Sequence, residues 1–317
     1  MVNAVDPSGM ITNAISLFMN GNSLEIASAL SSGSCDNPPI NASGICRNRC
    51  SQYQGSYSYV SCVVNCESHL IEDLRNSISG SAIESTILNS TVTLATISIQ
   101  PSSGCNSLFD VINDKANGTS NCFSGNSSLG TVTAQGILTH DHFFDKAGNA
   151  SIDNRNGLNQ IKVFDWLYIE GSSGFHAFVP VETLTADYSD GTMLIKLPIN
   201  VARFGKASSK APFNLSYGDP VYFAYYPGNN AELGHYPSQS QIRVGVDAYT
   251  NFINSHRFLL KGLSTSLGDS GGGHFNARGE LIGVLWGQEQ NLHFQGVPIL
   301  EGLDYYEPLR QSVAKVG

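Results

Sequence analysis

From about Ser85 onward the chain is a succession of short β-branched or aromatic runs: TVTLATISI, TVTAQGILT, KVFDWLYI, TMLIKL, PVYFAYY, IRVGV, RFLLKG and LIGVLWG. Turn signals such as Asp190-Gly191 and Pro227-Gly228 separate them. Many short strands at near-regular spacing, with no helical pattern between them, restrict this part of the chain to an all-β barrel or sandwich. The residues before it have another character. From Cys46 to Arg75 there is almost no strand alternation, and YVSCVVNCESHLIEDLRNSI carries apolar residues at helical spacing. The expectation is a helical N-terminal extension over 1–84 and a mostly β domain over 85–317. A short terminal helix is expected in DYYEPLRQSVAKV.

All seven cysteines lie in the first 122 residues. Two pairs form CRNRC (Cys46 to Cys50) and CVVNC (Cys62 to Cys66). On a helix, residues four apart share a face. Two such helices folded antiparallel bring Cys46 to Cys66 and Cys50 to Cys62, and Gly55 lies in the connection. A zinc site is the alternative, although structural zinc cysteines usually sit two to four residues apart on knuckle turns. Cys105 and Cys122 would then close a loop within the first barrel, and Cys35 is left over, free or paired with another chain. The twin C-x3-C pattern resembles disulfide-stapled helical hairpins such as plant α-hairpinins and small mitochondrial translocase chaperones, over about 25 residues. Paired cysteines, together with N-x-S/T sequons at Asn41, Asn89, Asn117, Asn126, Asn149 and Asn214, fit a secreted protein or another oxidising compartment. The apolar residues near the start (Ile11, Ile15, Leu17, Phe18) are interrupted and lack a basic flank, so they do not read as a signal peptide.

The stretch GDSGGG, Gly268 to Gly273, is either a loose turn or a strained turn presenting a nucleophile. A nucleophilic serine needs a base, a group that orients the base, and donors for the oxyanion formed on attack. Flanking glycines let the backbone turn so that the Gly268 and Ser270 N–H groups converge. Upstream, ILTHDHF is an apolar strand end running into His142, the candidate base; His140, on the same face by strand alternation, competes with it. SDGTMLIKL places Asp190 just before a buried strand, where an orienting carboxylate can sit. Asp187 is the runner-up, and a plain Asp-Gly turn is the other reading of Asp190.

In the order His, Asp, Ser, the segments LTHDH, SDGTMLIKL and STSLGDSGGGHFNARGELIGVLWG resemble the chymotrypsin-like serine peptidases, over about residues 85–317. That resemblance implies two six-stranded antiparallel β-barrels with the site between them. It implies His142 as general base, Asp190 as its orienting partner, Ser270 as nucleophile, and the Gly268 and Ser270 N–H groups as oxyanion hole. The flanks are closest to bacterial-type members. Glutamyl endopeptidases carry I-G-I-H-W-G where this chain has IGVLWG, so Leu285 replaces the histidine that reads an acidic side chain. Ser264, six before the serine, stands at the pocket floor where an acid would select Arg or Lys. Gly287 and Gly296 match positions that leave the pocket open. An apolar or aromatic residue before the scissile bond is expected, with His293 near enough to the pocket wall to change that. Two departures favour bacterial or viral relatives. No I-V-G-G-like start is available to salt-bridge Asp269, and Phe143 stands where animal members carry a paired cysteine. QNLHFQG, Gln290 to Gly296, resembles a potyviral processing site and is read as coincidence.

The net charge of −9, with no basic run, argues against a nucleic-acid partner. No apolar stretch reaches the roughly 18 residues of a membrane span. The expected partner is a polypeptide substrate, and the chemistry requires no cofactor or metal. Two other classes stay open. One is a catalytically silent, protease-like binding protein, suggested by the unusual extension and by insertions near Gly171–Gly174 and Asn200–Lys210. The other is an α/β-hydrolase, which GDSGG also satisfies as G-x-S-x-G but which needs Asp and His after the serine. The helical extension reads as a structural cap, a pro-segment or a recognition module.

Overall fold

The computed structural model describes residues 42–99, 101, 104–122, 126–140, 143, 164–189, 192–211, 214–216, 218–227, 236–254, 257–261, 268–289, 293–294, 297–298 and 303–308. The first element among the described residues is a helical hairpin. Helix α1 (Ala42–Arg49) and helix α2 (Tyr57–Ser77) are joined by a 3-10 turn over Ser51–Tyr53. Gly55 adopts the left-handed φ of +87° that reverses the chain. The cysteines pair as their spacing predicts. Cys46–Cys66 and Cys50–Cys62 are disulfides with Cα separations of 5.6 and 5.8 Å. The sulfurs thus staple the helices to each other, and the zinc reading falls. Cys105–Cys122 is a third disulfide; Cys35 lies outside the described residues. Three disulfides point to an oxidising environment. No helix among the described residues is long and apolar enough to cross a membrane.

The apolar residues of α2 recur every three or four positions, and those stripe residues are buried: Val63, Leu70, Ile71 and Leu74, with Ile78 just beyond. Helix α3 (Ala82–Ser90) follows and runs straight into strand β1 (Thr91–Ile97). The change from helix to strand therefore falls at Ser90/Thr91, a few residues later than the sequence suggests. The reason is an N-terminal cap. Ser81 Oγ accepts the Glu84 N–H at 3.1 Å, and Glu84 Oε2 accepts the Gly80 N–H at 2.6 Å. These two bonds start a helix in a segment whose β-branched residues alone favour a strand.

The first sheet holds β1, β2 (Ser127–Thr133), β3 (Gly136–His140), β4 (Trp166–Gly171), β5 (His176–Pro180), β6 (Thr185–Ser189) and β7 (Thr192–Lys196), all antiparallel in the order β5-β4-β1-β2-β3-β7-β6. Six further strands close a barrel: β8 (Pro220–Tyr225), β9 (Arg243–Asn254), β10 (Arg257–Lys261), β11 (Gly273–Phe275), β12 (Leu281–Glu289) and β15 (Leu303–Pro308). A small hairpin, β13 (His293–Phe294) with β14 (Val297–Pro298), takes part of the QNLHFQG stretch. The expectation of two six-stranded barrels thus needs correcting for the first sheet. That sheet has seven strands and is not closed among the described residues, because the β4–β5 and β6–β7 pairs extend it in opposite directions. The expected C-terminal helix is corrected for its first residues: Leu303–Pro308 is a strand that pairs with both β10 and β12, and the remainder of that stretch lies outside the described residues. Paired tyrosines (Tyr305, Tyr306) suit a pleated wall better than a helix. Among the described residues every named strand pairs antiparallel and no helix alternates with the strands as the α/β-hydrolase alternative requires.

The helices are part of the core. One continuous cluster joins Leu70, Ile71, Leu74, Ile78 and Ile87 to barrel residues Val244, Val246 and Phe275 and to Leu129, Leu138 and Leu194 of the first sheet. Arg75 adds polar anchors across the same joint. It donates from Nε to the Val246 carbonyl at 2.7 Å and from Nη2 to the fully buried Asp247 at 2.6 Å.

Helix α4 (Leu108–Ala116), inside the Cys105–Cys122 loop, is capped by Ser107 and was not expected from the sequence. Two carboxylates tie it down. Glu170 on β4 accepts from the Tyr168 hydroxyl, from the Gln239 N–H at 3.1 Å and from Ser238 at 3.3 Å, and faces Lys115 at 3.4 Å. Asp114 accepts from the Thr119 hydroxyl, from the Asn121 and Cys122 N–H groups and from the Tyr236 hydroxyl. Burial alone pushes both carboxyls up. The donors outweigh it, led by Thr119 for Asp114 and by Tyr168 for Glu170, and hold both below the usual carboxylate range. Groups depressed in the folded state contribute stability above their unfolded pKa, and that contribution is lost as the pH falls through the folded value. The melting temperature is therefore expected to fall as the pH drops below about 4. In the double variant Asp114→Asn/Glu170→Gln that acid slope should be shallower; an unchanged slope would exclude this cluster as its source.

Candidate active site

GDSGGG is a seated turn. Gly268 and Gly271 have φ of +94° and +83°, in the left-handed region that glycine enters at little cost. At Gly271 the space is closed as well. A Cβ there would lie 2.0 Å from Thr139 Oγ1 and 2.3 Å from the Leu129 carbonyl oxygen. Gly271→Ala therefore adds a left-handed penalty to a collision with backbone, and is expected to destabilise by roughly 3 kcal/mol. A calorimetric melt unchanged by this substitution would mean that the turn does not rest on β2 and β3.

The peptide joining Ser270 to Gly271 is held from both sheets. Its carbonyl accepts the Leu129 N–H at 3.1 Å and the Ser128 hydroxyl at 2.5 Å, both from β2. Its N–H donates to the Leu285 carbonyl on β12 at 2.7 Å. The Leu285 N–H returns a bond to the Gly272 carbonyl at 2.9 Å, and the Gly272 N–H closes a turn on the Asp269 carbonyl at 3.0 Å. The N–H groups of Gly271 and Gly272 are thus engaged. Those of Gly268 and Ser270 meet no acceptor among the described residues. Asp269 itself is fully buried, and Tyr226, just past β8, donates its N–H to Oδ1 at 2.7 Å. That amide anchors the carboxylate from within the chain. The Tyr226 hydroxyl is held far above its ordinary pKa by burial, then by the charges of Asp269 and Glu170, so it stays neutral.

Ser270 is half-buried at the meeting of the sheets. His142 and Asp190 lie outside the described residues, as do Ser264 and Gly296 of the expected pocket. The strands leading to the first two are described. β3 and β7 pair antiparallel, and their last described partners are His140 and Thr192. His140 is 4% exposed, and its Nε2 lies 3.0 Å from Ser128 Oγ. Its bond runs to a hydroxyl that holds the Ser270 carbonyl, so it addresses the backbone of the turn. Phe143 is buried and meets the His140 ring edge-on at 6.0 Å. Asp187 lies on β6 in an ion pair with Lys196 at 2.7 Å. Leu285 is buried and its side chain joins Val221, Tyr249, Phe258, Leu260 and Ile282. Gly287 stands on β12 opposite Tyr305, at a register shift.

Sequence reasoning missed Ser128, Tyr226 and His274. His274 is fully buried on β11, stacked on Phe223 at 5.1 Å. Its Nδ1 lies 3.1 Å from the Gly272 carbonyl, so Nδ1 carries the proton. Burial holds its pKa well below the ordinary imidazole value, and the ring is neutral. No local pattern marks it, because its role is to support a carbonyl of the turn from behind.

A scan against models of known protein families finds no match, and a search among curated proteins finds no similar sequence. Among solved structures the chain is similar to an HtrA-type protease with a decapeptide, at 15% identity and a TM-score of 0.40, over 72% of this chain and 63% of that one. It thus spans less than two thirds of that protein's length. It is also similar to a scabies mite inactivated protease paralogue, at 12% identity and a TM-score of 0.43, over 73% of this chain and 93% of that one. Tobacco etch virus protease complexed with product aligns at 12% identity and a TM-score of 0.43, over 73% of this chain and 79% of that one. No function is carried across at that level of likeness.

Proposed function

We propose that the chain is a serine endopeptidase that cleaves polypeptides through an acyl-enzyme. Ser270 attacks the scissile carbonyl, His142 takes its proton, Asp190 orients His142, and the Gly268 and Ser270 N–H groups receive the oxyanion. The observation that carries this reading is the turn itself. It is left-handed at two glycines, clamped between two sheets, and its Gly268 and Ser270 amides meet no acceptor among the described residues while the next two are engaged. Chain connectivity supports the partners. His142 is two residues beyond His140 and Asp190 two before Thr192, and His140 pairs with Thr192. Two residues span at most about 7 Å, so both candidates start from one end of one ladder. Leu285 in place of a histidine, and Ser264 in place of an acid, favour an apolar or aromatic side chain before the scissile bond.

Removal of the serine proton by a neutral imidazole leaves an imidazolium that returns the proton to the departing amine. Water then repeats the sequence on the acyl-enzyme. Asp269 has an internal donor in the Tyr226 N–H, which helps seat the turn. The test is a fluorophosphonate probe, whose fluoride an acylation-competent serine displaces as its oxygen bonds to phosphorus. The full chain should label at a single site and Ser270→Ala should not label; labelling that persists in Ser270→Ala sinks the proposal.

A further inference from the structure

We propose that Ser128 and His140 are positioning residues for Ser270, acting as a buried two-step relay that fixes the carbonyl of the nucleophile's own peptide. The proposal rests on Ser270 being the nucleophile. Ser128 Oγ lies within reach of four groups: the Ser270 carbonyl at 2.5 Å, the Leu129 carbonyl at 3.0 Å, His140 Nε2 at 3.0 Å and Thr139 Oγ1 at 3.3 Å. A hydroxyl has one proton to give. The bond to the Ser270 carbonyl is the shortest and takes it. Thr139 gives its own proton to the Leu129 carbonyl at 2.8 Å. His140 Nε2 must therefore donate to Ser128 Oγ, so Nε2 carries a proton. The relay reads His140 Nε2–H to Ser128 O–H to Ser270 C=O.

The placement gives the relay consequence. Ser128 is fully buried and His140 nearly so, in a region where hydrogen bonds polarise one another. The Ser270 carbonyl fixes ψ of Ser270. With the Gly271 N–H held by Leu285, it fixes where Oγ and the Ser270 N–H point. Leu129 N–H supplies a second, neutral donor to the same oxygen, so loss of Ser128 weakens the clamp without opening it. The His140 ring nitrogen Nε2 is aimed at this hydroxyl.

Four full-chain variants test the relay: Ser128→Ala, His140→Leu, His140→Gln and the double variant Ser128→Ala/His140→Leu. The second-order rate of fluorophosphonate labelling should fall roughly 10-fold in Ser128→Ala, the size expected for one lost hydrogen bond to a carbonyl. It should fall comparably in His140→Leu. His140→Gln, which keeps an N–H donor, should recover to within about threefold of wild type. The double variant should be no slower than the worse single one, because both substitutions break one relay. A readout that needs no activity runs beside this: the carbonyl carbon shift of Ser270 and the amide nitrogen shift of Gly271 in isotope-labelled protein. Both should move in Ser128→Ala and His140→Leu and return towards wild type in His140→Gln. Labelling and shifts unchanged in Ser128→Ala overturn the relay, as does a His140→Gln variant no better than His140→Leu. If wild type is not labelled at Ser270 but the shifts move as described, the relay stands and the peptidase reading fails.

Discussion

Alanine at His142 is expected to lower kcat/KM for a peptide substrate by about 10⁴-fold or more, with no change in the melting temperature. The loss is large because without a base the serine must attack as a neutral alcohol. Ser270→Ala should be as inactive, and combining the two should cost no more than either alone, since both act in one step. Asp190→Asn should retain binding and lose most turnover by leaving the imidazole in the wrong tautomer. Asp187→Asn separates the two acidic candidates. Asp187 is occupied by Lys196, so its substitution should leave kcat/KM within about twofold, in the range of ordinary surface changes. His140→Gln separates the two histidines in the same way, because it conserves the donor to Ser128 but could not serve as a base. Full activity in His142→Ala would remove His142 from the mechanism, and a dead Asp187→Asn would transfer the orienting role to β6.

Much of this arrangement is legible in local patterns. TMLIKL becomes β7 and PVYFAYY contains β8 because β-branched and aromatic runs between turn residues suit a pleated, half-buried surface. The paired C-x3-C spacing fixes the two staples, since one helical face admits only that antiparallel match. What local pattern cannot carry is the long-range partner. The amide that holds Asp269 lies on Tyr226, 43 residues away, and the hydroxyl that holds the Ser270 carbonyl is 142 residues away. Neither Tyr226 nor Ser128 carries a motif of its own, because a backbone N–H belongs to every non-proline residue and a buried serine looks like any other. α3 and α4 were hidden for a different reason. Ile83, Thr86 and Ile87, or Val111 and Ile112, favour strands by propensity, and the Ser81 and Ser107 caps override them. DYYEP fails in the opposite direction: its tyrosines become helical or extended according to whether a barrel gap is there to be closed.

A chain beginning near Ser85 is expected not to fold, because the helical region shares its core with the barrel. Removing it deletes Val63, Leu70, Ile71, Leu74 and Ile78, each buried. At about 1.5–3 kcal/mol for each fully buried aliphatic side chain, these five alone contribute on the order of 10 kcal/mol, as large as the stability of a whole domain. The ordering of the hairpin opposes part of that, but its two staples already restrict the unfolded chain. The cut also falls inside α3, after its Ser81 cap, and takes Arg75 from the buried Asp247. What remains would present Val244, Val246 and Ala248 on β9 to water beside a carboxylate with one fewer cation. The expected result is aggregated or dye-binding material with no cooperative melt. Point substitutions grade the same effect: Leu74→Ala should cost about 2–5 kcal/mol, as for other buried leucines. If instead the short chain is soluble, melts sharply and labels at Ser270 faster than the full chain, the hairpin is a pro-segment over the cleft. If it labels at the same rate, the hairpin serves recognition elsewhere. Failure to fold leaves the helical region as the wall against which the barrel is built, and Ser270 then depends on it through Val246, β9 and β8, whose last residue precedes Tyr226.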